Sequence, residues 1–519
     1  MNESLATILE TIADLRADRL AISQGDRRLT WAELDNRAAR LAAYLAGHGI
    51  GPGSRVAIAL YNGPEYIESV FAVLKLRGVP VNVNYRYRST EMREILAGSG
   101  ARAVVLDESL KERFDAVRDD LPRLRTFLVV GAVGTYEEAL GDPAPRIGRS
   151  GDDLWVTYTG GTTGSPKAVV TRHSWVYKVC TVNGFTLLGQ PVPDTLEDLR
   201  AATRKVSGDQ LVYLPAPPLM HATGMYTTLG GLVASGRIVY LAGKSYDPAE
   251  VARTIERERV DTMSIVVGDV FARPLADELD AHPYDISSLK RIVSVGLAWS
   301  KEIKTRLLAH GDILCREMVA ATEGGPFAFS EMTREKPAEL RLAPGARVVD
   351  ENNRDVEPGS GQTGIMAAPA DNFVHYEGDP DRTELTFRRF DGQRWAMPGD
   401  LATVRADGTV HLLGRGSGVI NTGGEKVHAE EVEQVVARHP AVREAVVVGA
   451  PDMQWGQVVV AIVQLQPDAT LDLAALAAHV SDFLAAYKKP RRLLIVPEIR
   501  RSPAGKVDMR WIRDEIVTS

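Results

Sequence analysis

Short apolar runs alternate with amphipathic segments over most of this chain, and that alternation restricts the fold more than any other feature. Arg55-Val56-Ala57-Ile58-Ala59-Leu60, Val79 to Val83 and Ala103-Val104-Val105-Leu106 read as buried strands. Between them, Pro64 to Leu76 and a segment near Glu91 to Leu96 read as helices. Strands of this kind, separated by helices, predict a parallel α/β layer. Ahead of them, Thr30-Trp31-Ala32-Glu33 has the form of a capping box that opens a helix through Leu41 and Leu45, stopped by Gly47-His48-Gly49. The same rhythm resumes at Leu211 to Leu214, Arg237 to Leu241, the helix Pro248 to Glu258, Thr262 to Val267 and Arg291 to Val295. The polar, proline-containing stretch between Gly189 and Gly208 has little apolar periodicity and reads as an inserted excursion.

From about Leu342 the pattern changes to short strands broken by Gly, Pro and Asp, ending in a hairpin from Leu401 to Leu413 with Asp407-Gly408 at its turn. This predicts a β-rich subdomain over about 342–413. After Gly414-Arg415-Gly416-Ser417-Gly418 there follow a helix with Val432, Val435 and Val436 on one face, strands Ala445 to Val448 and Val458 to Leu465, a helix carrying Leu473, Leu476, Val480 and Phe483, and strand Leu493 to Val496. That is a compact α+β unit of domain size. Three glycines within five residues make a hinge, so the boundary is placed between an N-terminal domain, 1–415, and a C-terminal domain, 416–519.

The 519 residues include 61 Lys+Arg and 68 Asp+Glu, a net charge of −7 that lacks the basic excess of a nucleic-acid binder. The two cysteines, Cys180 and Cys315, suggest neither a disulfide framework nor a cysteine metal site. Met1-Asn2-Glu3-Ser4 opens no signal peptide, and no apolar run approaches a membrane span. The expectation is a soluble, cytoplasmic enzyme without integral membrane contact.

Tyr158-Thr159-Gly160-Gly161-Thr162-Thr163-Gly164-Ser165-Pro166-Lys167 follows the apolar run Leu154-Trp155-Val156. Glycines let a backbone approach an anion with its N–H groups, the threonines add hydroxyl donors, and Lys167 adds charge. The loop is suited to phosphate, yet it lacks the G-x-x-x-x-G-K-[ST] pattern, and Ala168-Val169-Val170-Thr171 reads as a strand. Phosphate would be held by loop amides and hydroxyls, without a helix N-terminus. Thr322-Glu323, before Gly324-Gly325, offers a hydroxyl and a carboxylate for an α-phosphate and Mg²⁺, a cation commonly shared between one or two carboxylates and substrate phosphates; by itself the pair is also ordinary helix-cap chemistry. Pro398-Gly399-Asp400 puts a carboxylate after a turn, Gly414-Arg415 a guanidinium at the hinge, and Arg501-Ser502-Pro503-Ala504-Gly505-Lys506 a lysine near the C-terminus.

Together these motifs resemble, in order and spacing, the adenylate-forming superfamily of acyl-CoA synthetases, adenylation domains and firefly luciferase. The resemblance runs from about Thr30 to Trp511. Val267 to Leu275, Gly414 to Val427 and Arg501 to Lys506 look most like actinobacterial acyl-CoA synthetases for bulky acids. It implies an α/β fold: a large N-terminal domain of two layered α/β subdomains plus a small distorted β-barrel, followed by a mobile α+β C-terminal domain. It also implies two half-reactions, in which a carboxylate attacks the ATP α-phosphate to give acyl-AMP and pyrophosphate, and a nucleophile, usually the CoA thiol, then displaces AMP.

By resemblance, Thr159, Gly160, Gly161, Thr162, Thr163, Gly164 and Lys167 grip the β- and γ-phosphates, while Thr322 and Glu323 serve the α-phosphate and Mg²⁺, with Glu323 as the metal ligand. Asp400 holds the ribose beside Arg415, and Gly296 and Leu297 belong to the nucleotide site. Lys506 bridges acyl carboxylate and α-phosphate in the first step, after which the small domain rotates and brings in the Gly423-Gly424-Glu425-Lys426 loop, with Gly424 lining the pantetheine tunnel. The acid sits among His221, Gly224, Met225, Gly268, Ala298 and Val319, where glycines and mid-sized apolar residues leave room for a carbocyclic or aromatic acid. His221 is read as packing or gate, not as a base.

The chain departs from the pattern at Val319-Ala320, where relatives carry Tyr-Gly and the tyrosine stacks on adenine; at Ala168, usually glycine; at Ser417-Gly418, where charges are common; and at Ser294 to Ala298. These changes leave adenylation standing and the second step open. The expected partners are a small-molecule carboxylic acid and CoA, with ATP and Mg²⁺. The alternative is an amide ligase in which an amino acid or amine attacks the acyl-adenylate, and a third class is a non-catalytic acyl-adenylate sensor. A homodimer is left open.

Overall fold

A computed structural model describes the chain apart from residues 162–163, 207, 209–210, 267–268, 296–298, 416–417, 423–424, 453–454, 485, 502–506, 513–514 and 516–519. The side chains of residues 160, 161, 164–166, 266, 270, 414, 415, 419, 421, 425, 426, 456 and 510 also lie outside the description. The chain packs as two units, Met1–Glu339 with Pro369–Glu384, and Leu340–Ala368 with Leu385–Ser519.

In the first unit the predicted parallel layers are present. One sheet runs in the order Val79–Asn82, Arg55–Ala59, Ala103–Asp107, Thr126–Val130, all parallel. A second runs Leu314–Ala321, Arg291–Val295, Thr262–Val266, Val212–Pro215, Arg237–Tyr240, Leu20–Gln24, again parallel, with the antiparallel strands Gly324–Met332 and Arg27–Thr30 added at its two sides.

Alternate residues of these strands enter different cores, because successive side chains of a strand point to opposite faces. Val56, Ile58, Ala103 and Val105 join Ile22, Tyr213, Ile238, Tyr240 and Val293 in one shared core, together with Trp31, Leu41, Tyr66, Phe71 and Leu229 from helices Trp31–Gly47, Pro64–Lys75 and Ala222–Val233. Ala57, Val104 and Leu106 face a separate core under the helix Ser89–Ser99, and Val212, Val239, Met263 and Ile292 face a third under helices Pro248–Glu258 and Lys301–Ala309. Strands apolar on both faces are thus covered on both faces, the condition for a parallel sheet. The capping box at Thr30 is formed: Glu33 N–H donates to Thr30 Oγ1 at 3.2 Å, and Thr30 N–H to Glu33 Oε2 at 2.7 Å.

The stretch read as an excursion contains a helix, Leu196–Lys205, opened by its own Thr195/Asp198 capping box. Its polar exposed face hid it. Leu199 and Thr203 are its buried residues, Leu199 within the shared core, and the helix packs against Leu5–Leu15, whose following Arg16 donates to the carbonyls of Val206 and Gly208. Phe483 also departs from expectation: the helix ends at Ser481, and the ring beyond it is 54% exposed.

In the second unit the β-rich part has strands in the order Phe387–Phe390, Gln393–Ala396, Gly364–Pro369, Asp400–Val404, Val410–Arg415, with Arg347–Val349 added beside Gly364–Pro369. The α+β part has strands in the order Glu425–His428, Val419–Thr422, Gly456–Leu465, Val442–Asp452, with Arg492–Ile495 parallel to Gly456–Leu465. Val432, Val435 and Val436 of helix Ala429–Val436 and Leu476 and Val480 of helix Leu473–Ser481 fill its core, as their spacing predicts. Among the described residues no helix is long and apolar enough to cross a membrane.

Two asparagines at the C-terminal ends of the parallel strands fix what lies above the shared core. Asn62 accepts from Leu219 N–H at 2.7 Å and donates to the Pro217 carbonyl at 3.0 Å. Asn82 donates to the carbonyls of Tyr158 (2.9 Å) and Met220 (2.7 Å) and accepts from Tyr158 N–H at 2.8 Å. One amide therefore joins the strand that enters the glycine-rich loop to the residue before His221. Asn82→Ala strands these three backbone groups, each costing about 1–3 kcal/mol if unsatisfied and buried; the expected destabilisation is about 1–3 kcal/mol after solvent relaxation, read from urea unfolding midpoints.

His173, fully buried at the start of helix His173–Thr181, receives Leu5 N–H at Nδ1 (3.4 Å). Burial pushes its pKa down from 6.5 to about 4, against the opposing charge of Asp153 and a backbone hydrogen bond at Leu154. The folded imidazole stays neutral where the unfolded one protonates. Its contribution is complete above pH 6.5 and is lost as pH falls from there toward 4. At about 1.4 kcal/mol per unit this is about 3 kcal/mol over that window; His173→Gln should give a flatter stability profile from pH 6.5 to 4 in urea titrations.

Candidate active site

The glycine-rich loop is the tip of an antiparallel hairpin. Strands Leu154–Gly161 and Gly164–Arg172 pair with Gly161 opposite Gly164 and Thr159 opposite Lys167. Directly opposed residues of an antiparallel pair share a face, so the first threonine and the lysine of the motif stand side by side at the loop's base. The strand Gly164–Arg172 carries the lysine and continues beyond it, as expected, and among the described residues of the loop there is no helix N-terminus. Thr162 and Thr163 lie outside the described residues, and Gly160, Gly161 and Gly164 are described by backbone alone.

Thr322 and Glu323 form a second hairpin tip, between Leu314–Ala321 and Gly324–Met332 with Ala321 opposite Gly324. The helix-cap alternative for this pair is therefore excluded. Glu323 Oε1 accepts a hydrogen bond of 2.6 Å from the Tyr376 hydroxyl. Tyr376 belongs to the short strand His375–Tyr376, which pairs with the glycine-rich hairpin so that Tyr376 lies opposite Val169 and His375 opposite Val170. Lys167 is two residues along the same strand from Val169. Glu377, next in sequence, donates its N–H to the Ala168 carbonyl at 3.0 Å and forms an ion pair with Arg55, whose guanidinium also reaches the Tyr158 hydroxyl at 3.2 Å.

Tyr226, on helix Ala222–Val233, adds a partly buried phenol. Its hydroxyl lies 3.1 Å from Thr157 Oγ1, which also receives the Trp155 indole N–H at 3.0 Å. Burial raises the Tyr226 pKa; the Thr157 and Trp155 hydrogen bonds oppose this, while Cys180 and Glu323 add to it.

His221 is the N-cap residue of the same helix, in extended conformation, its N–H bound to the Pro218 carbonyl at 3.0 Å. It lines a small apolar cavity of about 20 Å³ with Ile58, Tyr66, Trp155, Met225 and Tyr226. That volume suits one water. Gly224 does not leave the space expected of it: a Cβ there would come within 2.2 Å of the Pro218 carbonyl oxygen. Its smallness permits close approach to the Pro217-Pro218 turn. Val319, at the position of the missing tyrosine, is buried and opposite Ala328. Gly268, Gly296, Leu297 and Ala298 lie outside the described residues.

In the second unit Asp400 and Arg415 are direct neighbours, opposed in the pairing of Asp400–Val404 with Val410–Arg415. Gly399 before them has φ +102°, a conformation that favours glycine, which explains Gly-Asp at this turn. Gly424 and Lys506 lie outside the described residues, while Arg501, ahead of the lysine, bridges Val507 and pairs with Glu444.

The donor set at the first unit's hairpins suits Mg²⁺. Glu323 and Thr322 supply hard oxygens, Glu323 Oε1 accepts from the Tyr376 hydroxyl, and among the described residues no cluster of three His, Cys, Asp or Glu able to hold a metal occurs. One carboxylate plus phosphate oxygens is the usual environment of this cation.

Sequence reading found the two hairpin tips but not Asn62, Asn82, Arg55, Tyr226 or Tyr376. Asn82 had a signal: it ends a buried parallel strand, where ligands of open α/β sheets gather. Tyr376 had none nearby, since its partner is 53 positions away.

The AMP-binding enzyme family matches residues 9–367, and the AMP-binding enzyme C-terminal domain matches residues 431–506. The 3-oxocholest-4-en-26-oate–CoA ligase of Rhodococcus rhodochrous is 35% identical over 536 residues, covering 99% of this chain and 96% of that protein. Among solved structures, the anthranilate CoA ligase AuaEII in complex with anthranoyl-AMP superposes with a TM-score of 0.83 at 21% identity, over 100% of this chain and 98% of that one. The amide bond synthetase McbA from Marinactinospora thermotolerans superposes with a TM-score of 0.80 at 24% identity, over 98% of this chain and 99% of that one. Both share the fold. With the N-terminal match spanning well over half of the chain and the smaller match following it, this protein belongs to the AMP-binding enzyme family.

Proposed function

We propose that this protein is an ATP-dependent acid ligase that adenylates a bulky carbocyclic or aromatic carboxylic acid and transfers the acyl group to CoA. The observation that carries this reading is the 35% identity with a 3-oxocholest-4-en-26-oate–CoA ligase across 99% of the chain. The fold alone does not select the second nucleophile, since a CoA ligase and an amide bond synthetase both share it.

In the first step an acid carboxylate oxygen attacks the α-phosphorus; the bond to the β-phosphate oxygen breaks and pyrophosphate leaves. Carboxylate and triphosphate repel, so catalysis consists mainly of neutralising charge and aligning the reactants. The loop from Thr159 to Lys167 receives the β- and γ-phosphates, with Thr159 and Lys167 on one face of its hairpin. Thr322 contacts the α-phosphate, and Glu323 would hold the cation. Bound Mg²⁺ would offset charge on the phosphate oxygens. Asp400 accepts from the ribose hydroxyls, with Arg415 opposite it in the sheet. Lys506 bridges the acid carboxylate and the α-phosphate.

In the second step the CoA sulfur attacks the acyl carbon, the carbon–oxygen bond to AMP breaks, AMP departs and the thiol proton is released to solvent. Residues 416–519 act as the moving domain, which withdraws Lys506 and brings Gly424 to the pantetheine path. His221 borders the acid as packing. The reaction is placed in the cytoplasm.

The product identifies the nucleophile. Incubated with MgATP, a panel of cyclic acids and either CoA or amino acids, the protein is expected to yield thioester with CoA, read by mass; amide in the absence of CoA would overturn the assignment. Failure of ATP–pyrophosphate exchange with every acid would favour a sensor. Lys506→Ala is expected to lower exchange at least about 100-fold, the scale for removing one donor to developing charge, while transfer from supplied acyl-AMP stays largely intact. Equal loss in both steps would contradict domain rotation.

A further inference from the structure

We propose that Tyr376 is a positioning residue for the first half-reaction, orienting the Glu323 carboxylate through its hydroxyl; this rests on the reading of Glu323 as the cation ligand. The hydroxyl–carboxylate distance is 2.6 Å, within the range expected for an O–H donor to an anionic oxygen. Such a bond fixes a carboxylate that otherwise turns about its terminal torsion.

Tyr376 is itself held on several sides. It is 4% exposed, its N–H donates to Thr383 Oγ1 at 3.0 Å, its backbone pairs with Val169, and the Arg382 guanidinium lies over its ring at 5.0 Å. Because Val169 and Lys167 share a strand, the same residue ties Glu323 to the phosphate hairpin. The orientation of the carboxylate and the location of the triphosphate are therefore set from one element.

A phenol suits this task for an electrostatic reason. An arginine or lysine in its place would orient the carboxylate and also cancel its charge, weakening its hold on a cation. A neutral hydroxyl donates to Oε1 and leaves the anionic charge for the cation. Outer partners of this kind set ligand direction, and their loss typically costs 10–100-fold in metal affinity or activity.

The test uses the full-length protein and Mn²⁺ as the probe cation, with a non-hydrolysable ATP analogue. Tyr376→Phe keeps the ring and removes the hydroxyl; it is expected to weaken Mn²⁺ binding, followed by electron paramagnetic resonance, about 10–100-fold. ATP–pyrophosphate exchange should fall by about the same factor, while CoA transfer from supplied acyl-AMP is unchanged. Tyr376→Leu, checked for folding by its thermal melt, serves as a second hydroxyl-free variant. Since Tyr376 acts through Glu323, the double variant Glu323→Gln/Tyr376→Phe should bind Mn²⁺ no more weakly than Glu323→Gln alone. Unchanged Mn²⁺ binding in Tyr376→Phe, or losses that add in the double variant, overturns the positioning role. Unchanged Mn²⁺ binding in Glu323→Gln instead overturns the cation-ligand reading on which it rests.

Discussion

The pairing of three antiparallel segments, Leu154–Gly161, Gly164–Arg172 and His375–Tyr376, is the constraint on which the first unit's site depends. It closes the glycine-rich tip, sets Thr159 opposite Lys167 and brings Tyr376 to the strand that carries the lysine. A one-residue slip in such pairing would turn every side chain to the other face. Such a slip is resisted by burial: Val156, Val170 and Val79 pack together on one face, and Val169 is fully buried. Apolar packing beneath the hairpin thus maintains a polar arrangement at its end.

That hairpin is in turn located by the two parallel sheets. Their shared core contains Trp155 and Tyr177 from the hairpin and the helix after it, together with the inner faces of both sheets. Asn82 then converts this packing into hydrogen bonds, linking Tyr158 to Met220 through one amide. The strand entering the glycine-rich loop and the turn that presents His221 are held together without either belonging to the other's sheet. This is how an acid ligase can keep the sites for two mutually repelling reactants in register, as proposed for this chain.

Much of this could be read in the chain before any coordinates. The parallel strands betray themselves as apolar runs because both faces are buried, and the capping box at Thr30 is a local exchange over three residues. The helix Leu196–Lys205 escaped notice for the converse reason: Leu199 and Thr203 are its buried residues, too few to mark a period. Gly224 shows how a glycine singled out for one reason can be required for another. Its lack of a side chain admits the Pro218 backbone instead of opening room for a ligand.

Sequence by itself determined the alternation of elements, the strand–loop–strand form of the glycine-rich segment and the Thr322-Glu323 motif, since each depends on residue types at short spacing. Tertiary structure decided what those residues meet. Glu323 and Tyr376 lie 53 positions apart, and Asn82 reaches residues 76 and 138 positions away. No local pattern encodes such pairs, because they arise only when buried strands choose their neighbours and registers. The motifs were written locally, but the hydrogen bond that meets the Glu323 carboxylate was decided by a strand of two residues, His375–Tyr376.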